Sequence, residues 1–161
     1  LAEQVHGSDL AIITSDSPMM SDNVDGLLTA DTGILLGIHV ADCGAVYLHD
    51  QKTRALALLH SGKKGTEQNI TGKAVAMMTR EFGTDPSHLI GVLGPCIRPP
   101  HYEFDFAAKI RSQAQKAGIP ESQFHDCNLC TASDLDRFYS YRLEKGNTGR
   151  MIALLGRTLE S

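Results

Sequence analysis

The sequence predicts an α+β fold with a mixed β-sheet. Three apolar runs follow one another without a helical pattern between them, at residues 34–41, 45–49 and 55–60, and neighbouring strands of this kind form antiparallel or mixed sheets. Separate segments farther along the chain repeat their apolar residues at helical spacing. A length of 161 residues, with 42% apolar and 21% charged residues, is typical of a single folded domain, which we expect to span residues 1–161.

Short strands are also expected ahead of these runs. Residues 11–14 and 26–29 are apolar, and the polar, turn-prone stretch 16–25 separates them. Residues 50–54 have the length of a hairpin loop and would join the last two of the three longer strands. The first 60 residues are therefore predicted to be mainly β-structure.

Helical spacing begins in the middle of the chain. Apolar residues at i, i+4, i+7 and i+8, counted from Ile70, predict a helix over residues 66–82 that Gly83 caps. A second amphipathic helix is expected to begin near Phe106 and to end at Gly118.

Three further elements complete the prediction. A buried strand is expected over residues 89–93, between two proline-containing turns. A third helix is expected over residues 135–144, because Ser133 is a suitable N-cap and apolar residues line one face. The apolar run at residues 151–155 is predicted to be the last strand.

The composition argues against several classes of protein. The net charge of −4 lacks the basic footprint of nucleic-acid-binding proteins, so no nucleic-acid partner is expected. The longest apolar stretch, at residues 34–41, is far shorter than the ~20 residues that cross a bilayer, so no membrane partner is expected. Four cysteines are too few for a disulfide scaffold, which favours a reducing, cytoplasmic location.

Three short segments place a reactive side chain beside glycine, at or just past the end of a predicted strand. The segments are residues 4–7, 41–44 and 60–65. They contain His6, Cys43 and His60, and two imidazoles with one thiolate form a known type of catalytic zinc site whose fourth position is left for water or substrate. The same residues without metal could form a nucleophilic pair, in which either histidine makes the cysteine thiolate. A buried cysteine with no reactive role is the third interpretation, and all three stay open at this point.

Charged side chains in these segments are candidate substrate contacts. Lys63 and Lys64 lie at the start of the first predicted helix, where two cations and backbone amides could hold a phosphate, or where both charges are simply solvated. Asp42 could orient a ligand or accept a proton, or could be a turn residue. The single Cys-x-x-Cys at residues 127–130 lacks the second pair that a structural zinc site needs, so core packing with a redox role is expected.

Taken in order, these segments resemble the laccase-domain family, also described as YfiH-like polyphenol oxidases or multifunctional purine nucleoside phosphorylases. The matching motifs are Gln-Val-His-Gly at 4–7, Asp-Gly-Leu-Leu-Thr at 25–29, Ala-Asp-Cys at 41–43, His-Ser-Gly-Lys-Lys-Gly at 60–65, Gly-Pro-Cys-Ile at 94–97 with Tyr-Glu at 102–103, Cys-Thr at 130–131, Phe-Tyr-Ser-Tyr-Arg at 138–142 and Gly-Arg-Met at 149–151. They cover nearly the whole chain, and their shared order is far more specific than any one motif.

The resemblance implies that His6, Cys43 and His60 bind one zinc ion. It also implies an α/β/β/α layered fold with mixed sheets, similar to the catalytic domain of cytotoxic necrotizing factors. The implied activity is phosphorolysis of adenosine, inosine, guanosine and methylthioadenosine, with deamination of adenosine, so the implied partners are a purine nucleoside and phosphate. An older interpretation of the family as copper-dependent polyphenol oxidases makes copper the alternative metal.

Two features depart from the family pattern. Lys63 and Lys64 stand where the family has a Trp-Arg pair, and Arg and Lys differ where an oxyanion is bound bidentately. Family members also carry an N-terminal portion with an arginine near the active site, so the chain is expected to lack that segment. Three rival functions accompany the phosphorylase hypothesis: a copper polyphenol oxidase, a metal-free Cys-His hydrolase and a non-catalytic zinc-binding module. The first is disfavoured because none of the seven histidines forms a His-x-His pair.

Overall fold

A computed structural model describes residues 1–158, and these residues form eight strands and three α-helices. The strands are β1 Leu10–Ile12, β2 Gly26–Thr29, β3 Leu35–Val40, β4 Gly44–Asp50, β5 Leu56–Ser61, β6 Leu89–Leu93, β7 Phe124–Asp126 and β8 Met151–Gly156. The helices are α1 Lys63–Glu67, α2 Ile70–Phe82 and α3 Phe106–Lys116. Three short 3₁₀ turns lie at Pro86–His88, Glu121–Gln123 and Thr131–Ser133.

Six of the strands form one mixed sheet in the order β1-β2-β5-β4-β6-β7. The two outer pairs, β1–β2 and β6–β7, are parallel, and the inner pairs are antiparallel. The hairpin expected between β4 and β5 is confirmed, because the two strands pair antiparallel along their whole length. The predicted α+β class with a mixed sheet is therefore confirmed.

The third strand does not join its sequence neighbours. β3 pairs antiparallel with β8 in a separate two-stranded sheet, so only two of the three consecutive apolar runs are hydrogen-bonded to each other. Its burial alternates: Leu36 and Ile38 are buried, whereas Leu35 is 62% exposed. One face of β3 thus packs inward as a second layer. Asp42, with φ of 83°, turns the chain from that layer into the central sheet.

Alternating side chains of the central strands divide the core into two parts. Leu28 and Leu59 face α2 and α3 and pack with Ile70 and other residues of the helices. Leu27 and Leu58 face the opposite way and pack against β3 and β8. Because both faces of β2 and β5 are covered, all their residues are buried, and burying a leucine stabilises the fold by about 1.5–3 kcal/mol. Residues 1–158 thus form one helical layer and two sheet layers, which belong to the expected α/β/β/α arrangement.

The first predicted helix is present but divided. The structure has α1 and α2 in place of one helix over residues 66–82, because Asn69 adopts a left-handed conformation with φ of 61°. Asparagine tolerates this conformation, and its Oδ1 accepts the Gly72 N–H at 3.2 Å, so that it caps α2. The glycine cap at Gly83, with φ of 69°, and the helix that begins at Phe106 are confirmed.

The third predicted helix is wrong. Residues 135–144 form separate turns, since two backbone N–H groups that a helix needs are hydrogen-bonded to side chains. The Arg142 N–H donates to Asp42 Oδ2 at 2.7 Å, and the Ser140 N–H donates to Glu144 Oε2 at 2.9 Å. Leu135 and Tyr139, which were expected to line the buried face, are 49% and 46% exposed.

The strands predicted at 26–29 and 89–93 match β2 and β6, and the other predicted strands differ from β1, β3, β4, β5 and β8 by one or two residues at their ends. Such differences are ordinary for strand ends. None of the helices within residues 1–158 combines the length and the apolar character needed to span a membrane.

Candidate metal centre

Three side chains from distant parts of the sequence meet at one end of the central sheet. His6 lies in the loop before β1, Cys43 ends the turn between β3 and β4, and His60 lies near the end of β5. Their potential ligand atoms, two imidazole nitrogens and one sulfur, lie within 4.8 Å of one another. This is the only group of His, Cys, Asp or Glu side chains within residues 1–158 that could hold a metal ion.

Strand pairing explains how Cys43 and His60 come together. In the β4–β5 hairpin, Gly44 pairs with Ser61 and Ala45 pairs with His60. The residue before β4 must therefore lie beside the end of β5. The imidazole of His60 is buried, Cys43 is half-buried and His6 is exposed to the adjoining cavity, so the group opens to solvent on one side.

Gly62 keeps the space between these side chains open. A Cβ at this position would lie 3.2 Å from Cys43 Sγ and 3.5 Å from both His6 Cδ2 and His60 Cε1. Any larger residue would therefore push its side chain into the space that the three ligand groups surround. The glycine, together with a nitrogen and sulfur donor set, fits a bound metal such as zinc.

Asp25 holds both histidines and was not assigned a role from the sequence. The His60 Nδ1–H donates to Asp25 Oδ1 at 2.7 Å, which leaves Nε2 as the nitrogen available to a metal. The same carboxylate accepts the backbone N–H groups of Val5, His6 and Gly7, at 3.2, 3.0 and 2.7 Å. Asp25 is completely buried. A buried acid directly before an apolar strand was the signal that could have revealed it.

These contacts set the charge of the two imidazoles. Burial lowers the pKa of His60, but hydrogen bonds to Asp25 and Cys43 outweigh that effect and raise the pKa to about 9. Partial burial of the His6 ring, with the nearby charges of His60 and Arg150, lowers the pKa of His6. At neutral pH the metal-free centre therefore holds a neutral His6 and a protonated His60, whose proton a metal would displace.

His6 is held in an uncommon backbone conformation. Its φ of 59° is in the left-handed region, which residues other than glycine rarely adopt. The three backbone hydrogen bonds to Asp25 stabilise this turn. As a result the His6 ring stands edge-on to the His60 ring, at a centroid distance of 5.0 Å and an interplanar angle of 82°.

Asp42 lines the cavity, but its carboxylate is already engaged. Oδ1 accepts the Thr131 Oγ1–H at 2.6 Å, and Oδ2 accepts the Arg142 N–H at 2.7 Å. The carbonyl oxygen of Asp42 accepts the Ile97 N–H at 2.8 Å. Asp42 therefore connects three segments around the centre. A substrate contact of Asp42, as predicted from the sequence, would have to form in addition to these hydrogen bonds.

The two predicted phosphate contacts are separated in the structure. Lys63 lines the cavity next to the centre, whereas Lys64 is exposed and is not among the residues that line it. Helix α1, which they begin, has five residues, so its N-terminus offers little of the dipole that a longer helix supplies.

The metal centre opens into a cavity of about 1100 Å³, which is large enough for a nucleoside. Tyr102 and Phe106 form an aromatic part of its wall, with stacked rings 5.7 Å apart. Arg142, Lys145 and Arg150, from the connection before β8, form a cationic part. Sequence reasoning assigned no role to these five side chains, although most belong to the motifs that carry the family resemblance.

The remaining cysteines lie apart from this group. All four cysteines are free thiols, and Cys96 and Cys130 face each other across a single β-bridge. Burial raises the pKa of Cys96 to about 12, so it stays protonated in the core. Cys127 is exposed. In the Cys-x-x-Cys segment, Cys130 thus packs against the core, whereas Cys127 faces solvent.

Comparison with known proteins identifies relatives over nearly the whole chain. The family model described as multi-copper polyphenol oxidoreductase laccase matches residues 1–109 and 101–158. Among curated proteins, the chain is 29% identical to purine nucleoside phosphorylase YlmD of Geobacillus stearothermophilus, with 98% of this chain and 72% of the relative covered. It is 28% identical to purine nucleoside phosphorylase YlmD of Bacillus subtilis, with 82% of this chain covered.

The chain spans only part of these relatives. It covers 58% of the Bacillus subtilis protein and 60% of purine nucleoside phosphorylase SSP1584 of Staphylococcus saprophyticus, to which it is 29% identical over 83% of its own length. The activity of those longer proteins is therefore a proposal for this chain.

Solved structures have the same fold. Protein YfiH of Bacillus licheniformis superposes with a TM-score of 0.92 at 25% identity, with 98% of this chain and 73% of that chain covered. YlmD of Geobacillus stearothermophilus superposes with a TM-score of 0.90 at 28% identity and the same coverage. The mixed α+β fold and the match to the family model over both halves agree: the chain belongs to the multi-copper polyphenol oxidoreductase laccase family, whose members include YfiH-like and YlmD-like proteins.

Proposed function

We propose that this chain is a zinc-dependent purine nucleoside phosphorylase that also deaminates adenosine. Its substrates would be phosphate with adenosine, inosine, guanosine or methylthioadenosine. The observation that carries the proposal is the meeting of His6, Cys43 and His60 within 4.8 Å at the mouth of a nucleoside-sized cavity. The names of the curated relatives support the reaction, and four free thiols suit a reducing cytoplasm.

The donor set favours zinc over other metals. Two imidazoles and a thiolate suit a borderline-soft ion, and three protein ligands leave one position for water or substrate. When bound, zinc would act as a Lewis acid that polarises an oxygen atom of water or substrate. Copper is the alternative metal, and the metal content of the purified protein distinguishes the two.

The residues around the centre suit the parts of a nucleoside. Tyr102, which is half-buried and backed by the buried ring of Phe106, offers an aromatic side chain against which a purine ring can pack. Cations that line the same cavity can hold phosphate while one phosphate oxygen bonds to the anomeric carbon of the ribose and the glycosidic bond breaks. The departing purine accepts the proton that hydrogen phosphate gives up as it becomes the ribose ester. Asp25 keeps His60 oriented through its 2.7 Å hydrogen bond.

A metal-free cysteine hydrolase is the second candidate, because one feature specifically favours it. Asp25 accepts a hydrogen bond from His60 and orients its imidazole, and the His60 and Cys43 ligand atoms lie within 4.8 Å of each other, as in an acid–base–nucleophile arrangement. A zinc site uses the same arrangement, because a carboxylate that accepts a hydrogen bond from one ring nitrogen of a histidine orients the other nitrogen toward the metal. Loss of activity on chelation, and its recovery with zinc, would exclude the hydrolase.

Product analysis tests the proposal. Purified wild type, Cys43→Ala and His60→Ala are incubated with adenosine, with and without phosphate, and adenine, ribose 1-phosphate and inosine are quantified by chromatography. We expect adenine only with phosphate, inosine in both conditions, and neither product from the variants, since a centre with two ligands binds metal weakly. One zinc per chain with no product from wild type would favour the non-catalytic zinc-binding module instead.

A further inference from the structure

The cavity beside the metal centre is cationic although the chain as a whole carries a charge of −4. Four of the residues that line it are positively charged: Lys63, Arg142, Lys145 and Arg150. Asp42 is the acidic residue on the same wall, and both its oxygens already accept hydrogen bonds from the protein. Such an excess of positive charge in an acidic protein indicates a site for an anionic ligand.

The four cations are not equally available. The guanidinium of Arg142 lies 3.6 Å from Glu103 Oε2 and 5.1 Å from the centre of the Tyr102 ring, so part of its charge is already compensated. Neither Lys145 nor Arg150 forms an ion pair with any carboxylate of residues 1–158.

Arg150 is held in position and lies near the centre. Its Nη1 donates to the carbonyl oxygen of Gly149 at 2.9 Å, and its guanidinium lies 5.5 Å from the centre of the Tyr141 ring. Arg150 lines the same cavity as His6, Cys43 and His60. Lys145, with φ of 51°, occupies a tight turn before Arg150 in the sequence and lines the same cavity.

We propose that Arg150 and Lys145 form the phosphate subsite of the cavity, in preference to the Lys63–Lys64 pair. A guanidinium can bind two phosphate oxygens at once, and an ammonium adds a point charge. Lys64 is not among the residues that line the cavity, so Lys63 lines it without its neighbour and offers a single ammonium group. Identification of the anion as phosphate rests on the proposed function; the subsite itself rests on the charges and contacts above.

Direct binding of inorganic phosphate tests the proposal without nucleoside or turnover. Isothermal titration is performed on the purified wild type and on Arg150→Gln, Lys145→Gln and Arg150→Lys. We expect the dissociation constant to rise about tenfold or more in Arg150→Gln and about threefold in Lys145→Gln. Arg150→Lys should lie between wild type and Arg150→Gln, because it keeps the charge and loses the bidentate contact.

Two further variants sharpen the titration. Lys109→Gln removes an exposed cation of α3 that is not part of the cavity wall and should leave the dissociation constant unchanged. Glu103→Gln frees Arg142 from its carboxylate and should tighten phosphate binding about twofold. Thermal unfolding of each variant shows that its fold is retained.

The proposal is overturned if wild type does not bind phosphate, or if Lys63→Gln with Lys64→Gln abolishes binding while Arg150→Gln and Lys145→Gln retain it. Phosphate binding that depends on Arg150 in a protein that releases no adenine from adenosine would support the subsite and count against the proposed phosphorylase reaction. The two hypotheses therefore fail separately.

Discussion

Asp25 Oδ1 lies 2.7 Å from His60 Nδ1, and the same buried carboxylate accepts the backbone N–H groups of residues 5–7. One side chain thus fixes the ring of one candidate ligand and the backbone of another, His6. Because the two histidines lie on segments that do not pair with each other, their common anchor determines their distance. This relationship makes Asp25 the residue on which the geometry of the centre depends.

We predict that Asp25→Asn lowers the zinc affinity of the protein by about 10- to 100-fold. The amide cannot accept hydrogen bonds at both positions, so the His60 ring and the loop at residues 5–7 lose their anchor. Competition with a chromogenic chelator measures the affinity. Asp50→Asn is the matched control, since Asp50 is equally buried but accepts hydrogen bonds from Lys52 and Thr53 in the β4–β5 loop.

The control should lose stability without losing zinc affinity. Equal loss of affinity in Asp25→Asn and Asp50→Asn would show that general destabilisation, rather than the position of the histidines, explains the effect.

We predict that Gly62→Ala lowers zinc affinity about tenfold or more with little change in fold stability. The backbone of Gly62, with φ of −77° and ψ of 178°, is open to any residue, so only the added Cβ matters. That atom would stand 3.2 Å from Cys43 Sγ. In Gly94→Ala the new Cβ would meet nothing nearer than 3.5 Å, so this variant should bind zinc normally. Unchanged zinc affinity in Gly62→Ala would mean that the ion lies elsewhere.

We predict that the metal-free protein loses stability as the pH rises from about 6.5 to about 9. The pKa of His60 is about 9 in the folded state and ordinarily 6.5, so its interaction with Asp25 stabilises the fold fully below pH 6.5. The contribution, on the order of 3 kcal/mol, disappears as His60 loses its proton. Urea unfolding across this pH range measures the free energy. Asp25→Asn should show a much smaller decline, and an identical decline in both proteins would contradict the assignment.

We predict one zinc per chain, a ratio that Cys127→Ser does not change. Cys127 is exposed and is not part of the group formed by His6, Cys43 and His60. Elemental analysis of chelator-free protein gives the ratio. A fall in zinc content in Cys127→Ser, or a ratio of two in wild type, would place an ion at the Cys-x-x-Cys segment and contradict the prediction.

The sequence by itself determined the class of the fold and most of its elements. β2, β6 and the helix at Phe106–Lys116 agree with their predicted positions because apolar runs bounded by turn residues, or repeated at helical spacing, reflect local backbone preferences and one buried face. The order of short motifs also pointed to His6, Cys43 and His60, since each stands in its own recognisable segment.

Tertiary contacts decided the rest. The helix expected at 135–144 is absent because a carboxylate 100 residues earlier, Asp42, accepts the Arg142 N–H that the helix would use, and local spacing carries no trace of that partner. β3 leaves its sequence neighbours because its partner, β8, lies at the other end of the chain. The contacts of Asp25 and the proposed role of Arg150 depend in the same way on residues remote in sequence, which only the packed sheet and its loops bring together.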